Sequence, residues 1–196
     1  MNKEIWKIIF PESKETEDYY SLFYSGIKLS ILRNNHYFIP QGIAINLTSY
    51  FNALPIKKWK LYTCVKNFYL KIFVNGDFQL NIIGYSFNSA TLKKTIIYSN
   101  NYINSNSFFN IELQDMMDVE LVGFEIISHS NCEFIDASYY ADFDESNIKP
   151  IVLGLVTVTY KKEEYILRNI KIIKDELLGE ISDIRENFYI HVIDNY

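Results

Sequence analysis

Thr159-Tyr160-Lys161-Lys162 and Asp194-Asn195 are the two segments of this sequence whose residue types best suit chemistry. The first places two lysines where an apolar stretch gives way to a helical pattern. A helix start presents unpaired N–H groups, and lysines beside it favour an anion, a diphosphate above all. The second places a carboxylate at the end of another apolar stretch, where it can accept hydrogen bonds from a base or a ribose. In open α/β sheets ligands bind beyond the carboxyl ends of the strands, where these two segments meet. Neither segment is a dinucleotide fingerprint or a P-loop, because GxGxxG and GxxxxGK[ST] are both absent. His36, His129 and His191 are scattered, without ligand spacing and without a serine or cysteine motif beside them. Trp6 and Trp59 suit a sandwich core better than a stacking role.

The elements that must position Thr159 and Asp194 are a strand, a helix and a second strand. Ile151-Val-Leu-Gly-Leu-Val-Thr-Val-Thr159 is a near-continuous apolar run, as expected of a central parallel strand covered on both faces. Ile166, Ile170, Ile173 and Leu177 fall on one helical face. Glu163 and Glu164 suit the first turn of that helix, and Gly179 suits its stop. Phe188 to Ile193 is the second strand. The spacing allows a right-handed βαβ crossover.

Ahead of this unit the chain reads as almost entirely β. Strands are expected at Ile43–Thr48, along the alternation of Leu61, Thr63 and Val65, and at Lys94–Ser99, Phe108–Leu113, Glu120–His129 and Cys132–Tyr139. Asn75-Gly76 between Phe68–Val74 and Asp77–Ile83 predicts a hairpin with a type I′ turn. Ser99 to Ser107 reads as polar turn material, and Asp142–Pro150 as an acidic hinge. The expected fold class is mainly β: an antiparallel jelly-roll-like sandwich over residues 1–148, then the first βαβ unit of an α/β domain over residues 149–196.

Composition sets the outer bounds. The chain has 196 residues, is 48% hydrophobic and 16% aromatic, and carries a net charge of −5. That charge disfavours nucleic acid as the main partner, which needs a basic face. Cys64 and Cys132 have no metal spacing and read as buried free thiols in a reducing compartment. The N-terminus lacks the apolar core of a signal peptide. No apolar run approaches the ~20 residues of a membrane helix. A cytoplasmic location is expected.

Val156-Thr-Val-Thr-Tyr-Lys-Lys-Glu-Glu-Tyr-Ile-Leu-Arg-Asn169 followed by His191-Val-Ile-Asp-Asn195 resembles the start of a GT-A glycosyltransferase of the inverting family 2 type. Tyr50 to Thr63 and Tyr140 to Glu145 resemble the N-terminal β-sandwich of galactofuranosyltransferase-like proteins. The resemblance implies that Thr159 and Tyr160 line a uracil pocket, that Lys162 contacts the donor nucleotide and that Asp194 recognises uridine. Lys161 stands where the family often has Asn. It further implies a UDP-sugar donor, a cell-surface glycan acceptor and a divalent metal (Mg or Mn) in the full-length enzyme. Peripheral membrane association and homo-oligomerisation are compatible with it. The family's metal-binding Asp-x-Asp and its catalytic carboxylate fall downstream of residue 196, so this chain is expected to be truncated, to hold no metal and to be inactive alone. Asp142-Phe143-Asp144 is formally an Asp-x-Asp, but it precedes the first α/β strand, where the family motif follows several later ones. Two other readings stand beside this one. The sandwich could be a non-catalytic carbohydrate-binding or assembly module. The chain could also be a remnant that aggregates through uncovered strands at 151–159 and 188–193.

Overall fold

The computed structural model describes residues 2–12, 14–32, 35–88, 91–113, 119–147, 153–177 and 188–194. It divides into two compact units, Met1–Ile148 and Lys149–Tyr196.

The first unit is built around one strand. β5 (Val65–Asn88) is 24 residues long. Its first half pairs with β9 (Cys132–Phe143) on one side and β7 (Phe109–Glu112) on the other. Its second half pairs with β8 (Leu121–Ser128) and β6 (Thr91–Ser105). The remaining strands extend these two halves: β1 (Asn2–Lys7) and β3 (Tyr37–Ile39) on β9, β2 (Ser30–Ile31) on β3, and β4 (Ala44–Asn46) on β8. All these pairings are antiparallel, so the sandwich is a single sheet curled on itself through β5. The mainly β fold class holds.

Period-2 patterning explains the core. Phe68, Leu70, Ile72 and Val74 from the first half of β5 are buried, as are Phe78, Leu80 and Ile82 from the second. Val122, Phe124 and Ile126 of β8 face them, with Phe134, Ala137, Tyr139 and Ala141 of β9. The inward phase of β9 changes between Phe134 and Ala137 because Ile135 is an extra residue, a bulge set against Phe73 and Val74 of β5.

Several local expectations fail. Asn75-Gly76 is not a hairpin turn. The strand continues through it, and Gly76 (φ +114°) bends β5 at the point where the strand leaves one half of the sheet for the other. A type I′ turn needs positive φ at both central residues, and here only Gly76 has it. Both flanks of the pair find better partners elsewhere: β9 for one, β6 and β8 for the other. Sheet corners are commonly made by such bends. Leu61 and Tyr62 are helical rather than extended: α2 (Ile56–Tyr62) begins after Pro55 and buries Ile56. Ser99–Ser105 is not turn material but the second half of β6, whose polar residues face solvent and a Gln79–Ser99–Asn81 hydrogen-bond network. A four-residue helix, α1 (Lys14–Glu17), and short 3-10 turns at Tyr20–Leu22 and Glu145–Asn147 complete this unit.

In the second unit β10 (Leu153–Thr159) and β11 (Phe188–Asp194) pair in parallel, in unbroken register from Leu153↔Phe188 to Thr159↔Asp194. Between them in sequence lies α3 (Glu163–Ile172), continued as π-helix over Ile173–Leu177. Ile166, Ile170 and Ile173 are half-buried, whereas Tyr165 and Leu167 are exposed. A cavity of about 300 Å³ lies between that helical face and Leu155, Thr157 and Ile190 of the sheet. This is the strand–helix–strand order that the periodicity predicts. Gly179, Pro150 and Asn195 lie outside the described residues.

Candidate functional site

The parallel register puts Thr159 directly opposite Asp194, at the last pair of the β10–β11 ladder. Both backbones therefore end at one edge of the two-stranded sheet, the carboxyl edge. Tyr160 follows at once and is 62% exposed. Lys161 then takes a left-handed backbone conformation (φ 51°), a region that non-glycine residues other than Asn and Asp seldom occupy. That kink turns the chain into α3. Lys162 is the N-cap residue, its carbonyl accepting from the N–H groups of Tyr165 and Ile166. No side chain caps this helix end.

The two lysines lie along neighbouring rings. The Lys161 ammonium is 5.3 Å from the Tyr160 ring centre, and that of Lys162 is 5.6 Å from Tyr165. The four residues singled out from the sequence thus meet at one end of one small sheet, beside a helix N-terminus. Strained non-glycine backbone concentrates at ligand sites, and Lys161 is such a residue. Chemically the arrangement offers the first backbone N–H groups of α3 beside two lysines, with Asp194 the register partner of Thr159 on the adjacent strand.

The other candidates resolve differently. Asp142 and Phe143 belong to β9 and not to a hinge. Asp142 accepts hydrogen bonds from the Tyr69 hydroxyl (2.8 Å) and the Asn2 amide (3.1 Å), and those donors hold its carboxyl below the usual range. Asp144 accepts from the Ser146 hydroxyl and pairs with Lys66. Both carboxylates have hydrogen-bonding or ionic partners within the chain. Among the described residues no cluster of three His, Cys, Asp or Glu side chains could hold a metal ion. His36 is bonded to Glu133 (2.7 Å), which also accepts from Asn75; His129 bonds Asn101; His191 is exposed and packs edge-on against Tyr189. Trp6 and Trp59 pack against the sandwich core. Cys132 is a buried free thiol; Cys64 is also free but only half-buried. No helix among the described residues is long and apolar enough to cross a membrane.

One cluster escaped the sequence reading. Where Phe68, Leu70 and Ile72 point inward along β5, Tyr69, Lys71 and Phe73 take the outer face. On β9, Tyr140 and Asp142 do the same beside them. Tyr69, Lys71, Tyr140 and Asp142, with Asn2 of β1 and Asn110 of β7, line a cleft of about 350 Å³. The alternation itself was the available signal. What it lacked was the pairing of Tyr69 with Tyr140, which are 71 residues apart in sequence (140 − 69) and register partners in the sheet.

A β-sandwich followed by a parallel strand–helix–strand unit defines a protein built from a β-rich module and a small α/β module. Residues 5–142 match the family described as galactofuranosyltransferase 2 N-terminal, and the chain belongs to that family. The family's description refers to the N-terminal region of galactofuranosyltransferases.

No curated protein matches the chain. Among solved structures it is similar to the CBM22-1–GH10 modules of Clostridium thermocellum endo-1,4-β-D-xylanase 10B complexed with xylohexaose. That likeness has 11% identity and a TM-score of 0.47, over 80% of this chain and 34% of that one. A family two carbohydrate esterase from Cellvibrio japonicus matches at 8% identity and a TM-score of 0.35, over 99% and 52%. A CBM4 structure matches at 10% identity and a TM-score of 0.33, over 70% and 92%. None reaches a TM-score of 0.5, so these likenesses are too distant to assign a ligand. The chain spans about a third of the first structure it matches.

Proposed function

We propose that the Lys149–Tyr196 unit holds the nucleotide of a UDP-sugar, as the opening of a GT-A domain in a glycosyltransferase that passes galactofuranose to a growing cell-surface glycan. The observation that carries this reading is the Thr159↔Asp194 register beside the α3 N-terminus. Thr159 and Tyr160 flank the uracil. Asp194 accepts hydrogen bonds from the uridine. Lys162, with the first N–H groups of α3, neutralises the diphosphate.

Among the described residues no group of three His, Cys, Asp or Glu side chains fits the divalent metal implied by the family resemblance, and Asp142 and Asp144 bond to neighbours in the sandwich. This chain's part is accordingly to bind and orient the donor. The sandwich module would then be the acceptor-side or assembly part of the same enzyme, in the cytoplasm or at a membrane surface.

Calorimetric titration of the 196-residue chain with UDP tests the reading. Binding is expected, and Asp194→Asn should weaken it by roughly 10- to 100-fold, the worth of a hydrogen bond to a charged group. Equal affinities for wild type and Asp194→Asn would sink the assignment, as would UDP hydrolysis or sugar transfer by this chain alone.

A further inference from the structure

We propose that the outer face of β5 and β9 is a binding site for a neutral glycan chain, centred on Tyr69 and Tyr140. The proposal is independent of the nucleotide site, since every residue it uses lies in the Met1–Ile148 unit.

Three observations support it. First, two half-buried tyrosines sit side by side on adjacent strands, at the register pair Tyr69↔Tyr140. The face of an aromatic ring is electron-rich, and it favours the weakly positive C–H face of a sugar ring. Second, both rings are fixed by their hydroxyl ends. Tyr69 donates to Asp142 at 2.8 Å, and Tyr140 donates to Glu4 at 3.2 Å. A site that is already ordered loses little conformational entropy on binding. Third, the polar groups around the rings suit hydroxyls. An ionised carboxylate offers about four acceptor positions, and Asp142 uses two of them on Tyr69 and Asn2. Those hydrogen bonds lower its pKa and so favour the acceptor-only carboxylate. The Asn110 amide can donate and accept.

Charge selects the class of ligand. Lys71 sits 4.7 Å from the Phe108 ring centre and 5.7 Å from that of Tyr140, so one cation already shares its field with two rings. Asp142 and Glu4 outnumber it, on a chain of net charge −5. A phosphate, a polyanion or nucleic acid meets repulsion here. A docked protein would require a central apolar anchor pocket, whereas this cleft is lined by Asn2, Lys71, Asn110 and Asp142 besides the two tyrosines. An amphipathic neutral polyol matches both the rings and the acceptors.

Affinity electrophoresis of the full 196-residue chain, run without UDP, is the direct test. The probes are a soluble galactan, a β-glucan and a xylan, with dextran sulfate as the polyanionic control. Retardation by at least one neutral glycan is expected. Tyr69→Ala and Tyr140→Ala should each weaken it by tenfold or more, and Asp142→Asn by several-fold. Tyr140→Phe, which keeps the ring and loses only the bond to Glu4, should keep most of the binding and guards against a variant that merely unfolds. No retardation by any neutral probe at millimolar sugar would overturn the proposal. So would retardation by dextran sulfate alone, or binding indifferent to both alanine substitutions in variants whose far-UV circular dichroism is native. Because UDP is absent throughout, failure here leaves the nucleotide reading standing, and the reverse also holds.

Discussion

Tyr139 shows how a single residue can serve packing at a cost in polarity. Its ring is wholly buried, edge-on to Phe124 at 6.4 Å, and its hydroxyl has no hydrogen-bond partner. Burial alone pushes that hydroxyl's pKa far up. An unpaired buried hydroxyl costs about 1–3 kcal/mol. Tyr139→Phe keeps the ring and removes the orphan, so it should raise stability by roughly 1 kcal/mol. Urea unfolding would show this as a higher midpoint at unchanged slope; a lower midpoint would mean that the hydroxyl has a partner. Tyr37 shows the opposite arrangement: its hydroxyl donates to the Pro11 carbonyl at 3.0 Å while burial raises its pKa to about 12. In sequence the two tyrosines look alike. Which one is satisfied depends on what the fold brings within 3 Å, and no local pattern reports that. Lys161 was equally silent, because nothing in Thr-Tyr-Lys-Lys marks which lysine must turn left-handed.

Among the elements, β5 has the largest consequences. Alternation along it was legible from the sequence: Phe68, Leu70, Ile72 and Val74, then Phe78, Leu80 and Ile82, are all buried as their spacing predicts. The direction of the chain after Val74 was not. Asn-Gly between alternating runs is a strong hairpin signal, and it is overridden here by the partners that β6, β8 and β9 supply. Gly76 is required for a different reason than the turn. Its φ is +114°, and an added Cβ would lie 2.8 Å from the Cys132 sulfur and 3.0 Å from the Asn131 carbonyl oxygen. Gly76→Ala should therefore cost about 2–5 kcal/mol, adding a left-handed backbone penalty to overpacking. A loss under about 0.5 kcal/mol in chemical denaturation, the level of an ordinary surface change, would show that the bend tolerates a side chain. The helix α3 was far more legible. Its apolar face repeats at 3.6 residues and needs no distant strand to define it.

At the scale of the whole molecule the two units differ in how completely they bury themselves. Among the described residues, every member of the hydrophobic core cluster lies between Ile5 and Phe143. The sandwich should therefore fold without residues 149–196. The 1–148 chain is expected to unfold in one cooperative transition, with a urea midpoint close to that of the same unit in the full chain. A broad transition, or a soluble yield dependent on residues 149–196, would contradict this. The α/β unit is different. Val156 and Val158 remain 61% and 60% exposed, although the strand's apolar composition predicts cover on both faces. A deletion series of this kind also separates the two binding proposals, since UDP binding should vanish from 1–148 and glycan binding should remain.

By itself the sequence determined that the chain is mainly β, that a strand–helix–strand unit closes it, and that Thr159, Tyr160, Lys162 and Asp194 stand at strand and helix ends. Those conclusions rest on short periods, 2 and 3.6 residues, which the local chain carries whole. Tertiary structure alone decided that β5 passes through Asn75-Gly76, that Asp142 belongs to Tyr69 and Asn2, and that Tyr69 meets Tyr140 across the sheet. Each of these depends on pairings between residues tens of positions apart. Their energy is realised only when the strands meet, so no window of sequence contains it.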